Sequence, residues 1–178
     1  NKVTVCWANG GAGGNDTNRS SAVTLSLSGT TITLGTLYEN TSAGGDFQKG
    51  CDITGGKHVC YWKNSSGYPS VMTMTVASDY SITWGTPLVI NSANGGFCNP
   101  IYNPNYENKA ILAGKIVSSY NKFSYAGLTI SGTSITASNF SDGNINNASS
   151  YVESGGNMGV YSNYSGNYCF VYQTYSPY

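Results

Sequence analysis

The sequence predicts an all-β protein, and three observations support this class. Apolar and polar residues alternate with a period of two through most of the chain, while helical periodicity is nearly absent. Gly, Ser and Asn divide the alternating runs into short pieces, as turns do between strands. A short phrase also recurs, as TTITLGT at 30–36, DYSITWGT at 79–86 and TSITASN at 133–139. The spacing of its copies indicates a repeat of about fifty residues.

Each repeat is predicted to contain four antiparallel strands. The second repeat shows them most clearly, at residues 46–54, 57–62, 70–77 and 81–90. The third repeats the pattern at residues 96–102, 109–117, 122–130 and 133–140. The two end units supply three strands each, at residues 2–7, 21–28 and 30–38 and at residues 149–154, 157–162 and 167–175. The match is strongest in the second strand of the unit, where KVTVCW aligns without a gap with KHVCYW.

We interpret the chain as a single β-repeat domain with a partial unit at each end. The units are predicted at residues 1–45, 46–95, 96–148 and 149–178. Four short antiparallel strands per repeat are typical of a propeller blade, but three and a half blades are too few to close a ring. Either sequence is missing, or a second chain completes the ring, or the units stack in an open arrangement. A two-sheet β-sandwich of the same strands is the alternative fold.

The middle copy of the phrase resembles the Asp-box of sialidase-like β-propellers, a Ser-x-Asp-x-Gly-x-Thr-Trp pattern. Asp79, Thr83 and Trp84 match it, Ser81 stands where Gly is usual, and the other copies lack the Asp and the Trp. In that family the box lies in the turn between the third and fourth strands of a blade, where the strand pattern also puts Asp79. The wider repeat resembles tandem propeller repeats of viral and phage tail-fibre proteins and other secreted surface proteins.

The phrase also has a purely structural explanation. Thr and Ile favour a half-buried pleated surface, and the Ser-Gly-Thr and Ser-Asp-Tyr runs supply tight turns. On this interpretation Trp84 and its counterpart Leu34 fill the space between neighbouring units.

The composition excludes some partners and favours a location. Charged residues make up 9% of the chain, eight basic against eight acidic, and Arg19 is the only arginine. A nucleic-acid surface needs a basic patch and is therefore not expected. No run of about 18 apolar residues occurs, so membrane insertion is not expected either. Abundant Ser, Thr, Asn, Gly and Tyr favour an extracellular, cell-surface or virion-surface protein. Because the chain begins at Asn1 directly in a strand-like run, we expect it to be excised from something longer.

Enzymatic motifs are scarce. Sialidases hold the substrate carboxylate with three arginines, which this chain cannot supply. The only histidine, His58, is predicted to face outward from a strand near Cys60, with no third group to complete a catalytic triad. No zinc spacing, phosphate loop or dinucleotide fingerprint occurs, so we predict no catalytic residue, metal or cofactor. A glycoside hydrolase needs two carboxylates about 5–10 Å apart. The acidic residues are dispersed along the chain, and a carboxylate pair could still form among them. They are Asp16, Glu39, Asp46, Asp52, Asp79, Glu107, Asp142 and Glu153.

The five cysteines are an odd number, so at least one has no partner within the chain. If Gly55 and Gly56 form a two-residue hairpin turn, Cys51 and Cys60 face each other in a non-hydrogen-bonded pair, with Cα atoms about 4.5 Å apart. Because that separation suits a disulfide, we predict a Cys51–Cys60 bridge and an oxidising compartment. The other three are expected to be small buried apolar residues or to bridge to another chain: Cys6, Cys98 and Cys169.

Seven Asn-x-Ser/Thr sequons are present, most of them in predicted loops. They are expected to carry glycans if the source is eukaryotic. The sequon residues are Asn15, Asn18, Asn40, Asn64, Asn139, Asn147 and Asn163.

Three functions are consistent with these features. The first is a structural or adhesive surface protein that binds neutral glycans by stacking aromatic side chains on sugar faces. The candidate contacts are Trp7, Trp62, Tyr68 and Tyr106, although core packing would explain the same residues. The second is a subunit that assembles with itself into an oligomer or filament, because half-finished units expose strand edges to a neighbouring chain. The third is the glycoside hydrolase.

Overall fold

The fold is all-β with antiparallel strands, as predicted. We describe a computed structural model of the chain. It describes residues 2–9, 19–93, 98–102, 105–114, 124–138, 141–142, 151–152, 160–161, 168–169 and 174–175. Within these ranges the only helical element is a three-residue 3-10 turn, Thr54–Gly56.

Sixteen strands follow one another along the described chain. They are β1 Lys2–Asn9, β2 Arg19–Ser28, β3 Thr31–Asp52, β4 Lys57–Asn64, β5 Pro69–Val76, β6 Ile82–Trp84, β7 Leu88–Val89, β8 Cys98–Tyr102, β9 Lys109–Gly114, β10 Ser124–Ser131, β11 Ser134–Ala137, β12 Ser141–Asp142, β13 Tyr151–Val152, β14 Val160–Tyr161, β15 Tyr168–Cys169 and β16 Thr174–Tyr175.

The strands form three main sheets that follow the repeat units. The first sheet contains β1, β2 and the N-terminal part of β3. The second contains the C-terminal part of β3 with β4, β5 and β6, and β7 also pairs with β5. The third has the order β11-β10-β9-β8, with β12 also paired to β10. Two short pairs, β13 with β16 and β14 with β15, lie in the last unit.

Strand β3 belongs to both the first and the second sheet. Residues 31–44 pair with β2, and residues 45–52 pair with β4. The sequence predicts two strands here, with a unit boundary between 45 and 46, because Asn, Thr, Ser and Gly at 40–45 are typical of a turn. The predicted break between two strands is wrong, because the polar segment stays extended: Gly44 pairs with Arg19 on one side and Gly45 with Asn64 on the other. The strand does change partners close to the predicted unit boundary.

The second sheet packs between the other two, and the two contacts make up the core. The first interface joins the first and second sheets through Ala22, Cys60, Trp62, Met72, Met74 and Ile82, with Cys6, Tyr38, Val76 and Trp84 packed against them. The second interface joins the second and third sheets through Ile53, Val59, Tyr61, Val71, Cys98, Ala110, Leu112, Ala126, Leu128, Ile130 and Ile135. Within the described ranges these sheets do not close into a ring or barrel.

The repeated phrase is the returning strand of a hairpin in all three copies. Ile32 pairs with Leu27, Ile82 with Val76, and Ile135 with Ile130. The first and third hairpins turn on a glycine with positive φ, at Gly29 and Gly132. The phrase therefore recurs because the same hairpin recurs in each unit.

Asp79 closes the middle hairpin. Its carboxylate accepts hydrogen bonds from the Ser81 backbone N–H at 3.0 Å and from the Ser81 hydroxyl at 2.7 Å. These bonds lower the pKa of Asp79. The residue thus lies in the turn between the third and fourth strands of its unit, where the sequence puts it, and its bonds serve the turn itself.

The predicted Cys51–Cys60 disulfide is wrong, because the β3–β4 hairpin has a three-residue turn. Ile53 N–H donates to the Lys57 carbonyl at 2.7 Å, and this shifts the pairing by one residue. Cys51 therefore pairs with Val59. Since neighbouring side chains on a strand point to opposite faces, Cys51 packs against the second interface while Cys60 lies in the first. Both are free thiols.

Candidate functional site

The first sheet carries a candidate interaction surface on its outer side, which we call the outer apolar face. Register places Val3, Leu25 and Leu34 side by side across the three strands, and likewise Val5, Val23 and Leu37. The complete set of residues is Val3, Val5, Val23, Leu25, Leu27, Ile32, Leu34 and Leu37.

The outer apolar face is open to water. The exposed fraction of its side chains ranges from 40% at Val5 to 71% at Leu34 among the six most exposed members. The prediction that Leu34 fills space between units is therefore wrong, whereas Trp84 does pack against the first interface. The exposed members amount to on the order of 600 Å² of aliphatic surface, at the upper end for the largest patch on a monomer. Patches of this size are often functional, which makes the outer apolar face a candidate interaction site.

The other side of the same sheet is covered. Cys6, Ala22 and Tyr38 pack into the first interface against the second sheet. The alternation along each strand thus puts small polar residues such as Thr4 and Thr24 beside Cys6 on the covered face, and only aliphatic residues on the outer apolar face. An antiparallel sheet usually turns a polar face to water, so the outer apolar face departs from the usual pattern and is a candidate binding surface.

A second candidate site is a cleft of about 720 Å³ between the first and second sheets. Its lining includes Cys6, Cys51, Asp52, His58 and Cys60. Within it, His58 Nδ1 lies 2.6 Å from Asp52 Oδ1. The prediction that His58 faces outward is wrong, since 18% of its side chain is exposed. The partner Asp52 was missed because only the three-residue turn places it directly opposite His58.

The thiols of this cleft are not nucleophiles at neutral pH. Burial raises the pKa of Cys6 to about 11 and that of Cys51 to about 12. Burial also raises the pKa of Cys60 well above 9.0, and nearby Cys6 and Cys51 add to the rise. Because the thiolate is the reactive form, these raised pKa values oppose nucleophilic chemistry at the thiols near His58 and Asp52. The Cys6 S–H instead donates to Met74 Sδ at 3.6 Å.

These raised pKa values predict a loss of stability at alkaline pH. The unfolded thiols ionise near pH 9.0, whereas folded Cys6, Cys51 and Cys98 ionise near pH 11 to 12. The contribution of these thiols to the free energy of unfolding should thus be constant below about pH 8 and be lost as the pH rises from 9 towards 12. Urea titrations between pH 7 and pH 10.5 measure this slope. A variant with these three cysteines changed to alanine should show a shallower slope, and an unchanged slope would contradict the assignment.

The four predicted glycan contacts do not form one site. Trp62 is 1% exposed and lies in the first interface, so that prediction is wrong: a side chain buried between sheets cannot stack on a sugar. Tyr68 is partly buried in the β4–β5 turn, where its backbone N–H donates to Asn64 Oδ1 at 3.0 Å. Tyr106 is 52% exposed. Trp7 lies on β1, and its side chain is outside the described part of the structure.

Tyr106 borders a shallow groove of about 540 Å³ on the third unit. Lys109, Thr136 and Ser138 also line it, and Lys109 Nζ donates to Thr129 Oγ1 at 2.7 Å. Sequence reasoning did not single out these polar residues, because no motif links them and only the pairing of β9, β10 and β11 brings them together.

Two of the seven sequon asparagines fall on described residues. Asn64 ends β4, and its Oδ1 accepts hydrogen bonds within the following turn, which leaves the amide nitrogen available for a glycan. Asn40 lies inside β3 rather than in a loop. The other predictions lie outside the described residues, at Asn15, Asn18, Asn139, Asn147 and Asn163.

Comparisons with known proteins do not assign a family. No family model, curated protein or solved structure matches the chain. In the described ranges, no three or more His, Cys, Asp or Glu side chains group so as to hold a metal ion. Those ranges also contain no helix of the length and hydrophobicity needed to cross a membrane. The function is therefore inferred from the sheets and their surfaces.

Proposed function

We propose that this chain is a structural β-repeat subunit of an assembly on an extracellular, cell or virion surface. The observation that carries the proposal is the stack of three consecutive sheets that ends in the outer apolar face. Sheets that follow one another along the chain and pack face to face are typical of propeller blades and of repeat proteins.

The exposed end of the stack favours assembly over an isolated monomer. Repeat proteins need terminal repeats with a polar outer face to stay soluble. The first sheet instead presents Val, Leu and Ile at its end of the stack. It therefore resembles an internal repeat that lacks its neighbour.

The proposed location is supported by composition rather than by cysteine chemistry. The predicted disulfide would have argued for an oxidising compartment, but Cys51 and Cys60 are free. The low content of charged residues, the abundance of Ser, Thr, Asn and Gly, and the sequons remain in favour of an exposed surface. The available Nδ2 of Asn64 agrees with this location.

Electron microscopy of the native material tests the proposal. Regular filaments or oligomers whose subunit matches one 178-residue chain are the expected result. Isolated monomers at every concentration would overturn the structural role, because the outer apolar face would then bind no neighbouring subunit.

Adhesion to neutral glycans is a second candidate function, favoured by the exposed Tyr106 beside hydroxyl-bearing Thr136 and Ser138. We expect binding on a glycan array to fall at least about tenfold in Tyr106→Ala, because the ring supplies the stacking surface. Tyr125→Ala is the matched control, since Tyr125 is also exposed but does not line the groove. An equal loss in both variants, or none in either, would reject the groove as a glycan site.

A further inference from the structure

We propose that the outer apolar face binds the opposite end of a second copy of this chain, so that copies stack head to tail. The proposal rests on the structural role argued above and names the surface and the partner. It replaces pairing between strand edges, which the sequence suggested, with packing between sheet faces.

The repeat itself identifies what the outer apolar face lacks. Aligning the first and second units through their hairpins matches Val5 with Cys60, and the strand pairings keep that match. The same alignment matches Leu34 with Trp84. The further matched pairs are Val23 with Met72, Leu25 with Met74, Leu27 with Val76 and Ile32 with Ile82.

The second-unit members of these pairs lie in the first interface or pack against it. Met72 is fully buried there, and Trp84 packs against its rim. Their first-unit counterparts, Val23 and Leu34, occupy the same positions of the same hairpin without a sheet over them. The outer apolar face therefore has the pattern of a buried sheet face.

The third unit repeats this arrangement. Leu112 and Leu128 stand at the positions of Cys60 and Met74, and both are buried against the second sheet. We call this side of each sheet its leading face, and the opposite side its trailing face. Both internal interfaces join the leading face of one sheet to the trailing face of the sheet before it.

In both internal interfaces, a leading face covers a trailing face. The first sheet offers Cys6, Ala22 and Tyr38, and the second offers Val59, Tyr61 and Val71. The only leading face in the three described sheets without a trailing face against it is the outer apolar face. Among the described sheets, the trailing face that a second copy would offer is that of the third sheet, where register aligns Ile111, Ala113 and Tyr125 with Val59, Tyr61 and Val71 of the second.

Exposure, charge and area favour a second copy as the occupant. Within the described part of the chain, no residue covers the outer apolar face, and six of its members are exposed. Its eight members carry no charge, so covering them takes no ionised group out of water. About 600 Å² approaches the roughly 800 Å² that each partner contributes to a standard interface. Because leading and trailing faces differ, the contact is heterologous and yields a ring if it closes and a filament if it does not.

The test compares self-association of the full-length chain with that of Leu34→Glu, by sedimentation velocity over a range of concentrations. Leu34 is well exposed, so the variant should fold as the parent does, which circular dichroism checks. Its association is expected to be at least about 100-fold weaker, because a carboxylate would be buried without a partner. Val89→Glu is the control: Val89 is also exposed but lies on β7 of the second sheet, and its association should match the parent.

Mixing the two proteins tests the head-to-tail direction. A Leu34→Glu chain keeps its trailing end, so it can join a stack but cannot extend it. A minor fraction of the variant should then shorten parental assemblies in proportion to its amount. Exclusion of the variant from assemblies would instead indicate contact between two leading faces and would overturn the proposal.

The remaining outcomes separate this inference from the structural role. If the parent associates and Leu34→Glu associates equally, assembly stands but uses another surface, such as strand edges. If the parent stays monomeric and residues 143–178 protect the outer apolar face in footprinting, the chain closes on itself, and both the inference and the structural role fail. If the parent is monomeric and the face remains accessible, both the inference and the structural role fail.

Discussion

Replacing Gly85 with alanine should lower the free energy of unfolding by about 3 kcal/mol or more. Gly85 lies just after the middle copy of the repeated phrase, where the second sheet touches the turn of the β10–β11 hairpin. Its N–H donates to the Thr73 carbonyl at 2.8 Å, and the Thr73 hydroxyl donates to the Thr133 carbonyl at 2.9 Å. A Cβ on residue 85 would overlap both the Thr73 hydroxyl and the Thr133 carbonyl oxygen.

The cost should be high because the obstacle includes backbone. The Thr133 carbonyl also accepts from Thr86 N–H at 3.2 Å, so moving it away would break two hydrogen bonds between the second and third units. Gly127→Ala is the matched control. A Cβ there meets only the Ser138 side chain, at 3.2 Å from the hydroxyl oxygen that accepts from Gly127 N–H, so the obstacle is a side chain rather than backbone.

Urea unfolding followed by tryptophan fluorescence measures both glycine variants. A loss in Gly85→Ala that exceeds the loss in Gly127→Ala by at least about 2 kcal/mol is expected. Equal midpoints for the two variants would show that the second and third units do not meet at Gly85.

Trp62→Ala should cost about 3–5 kcal/mol, because it leaves a large cavity in the first interface. The side chain is fully buried among Cys60, Met72 and Met74. Its Nε1 is buried without a hydrogen-bond partner among the described residues. Trp62→Phe should therefore cost much less, since it keeps most of the ring volume and removes a donor that makes no bond.

The same variants decide between the two interpretations of Trp62. Thermal unfolding should rank the parent above Trp62→Phe and Trp62→Ala last. If Trp62→Ala kept the parental midpoint and lost binding on a glycan array, Trp62 would be a surface contact, contrary to its position between the sheets.

Local pattern was sufficient to predict much of this fold. Period-two alternation identified β1, β4, β5 and β10 to within two residues, and the repeated phrase located the three hairpins. These features depend on neighbours in sequence, such as Gly29 with positive φ or Asp79 bonded to Ser81. Sequence can supply them because the interacting groups lie within a few residues of each other.

The predictions that failed concern features that depend on strand register or on contacts between sheets. One extra residue in the turn at Thr54–Gly56 moved Cys51 and Cys60 to opposite faces and placed His58 opposite Asp52. The sequence left Trp62 open between a glycan contact and a core residue, because nothing in its own strand says which sheet covers it. The candidate assembly surface was missed for the same reason, since Leu34 and Trp84 are distinguished only by the presence of a preceding sheet.

The length of β3 has a consequence for how the molecule loses its structure. One unbroken strand supplies hydrogen bonds to both β2 and β4, so the first unit cannot melt without fraying the edge of the second. The third sheet shares no strand with the second and is held to it by side chains and by the bonds to Thr133. The energetic coupling between the first and second units is therefore stronger than the coupling between the second and third. The first two units form one cooperative block, and the third is a separate one that can open first.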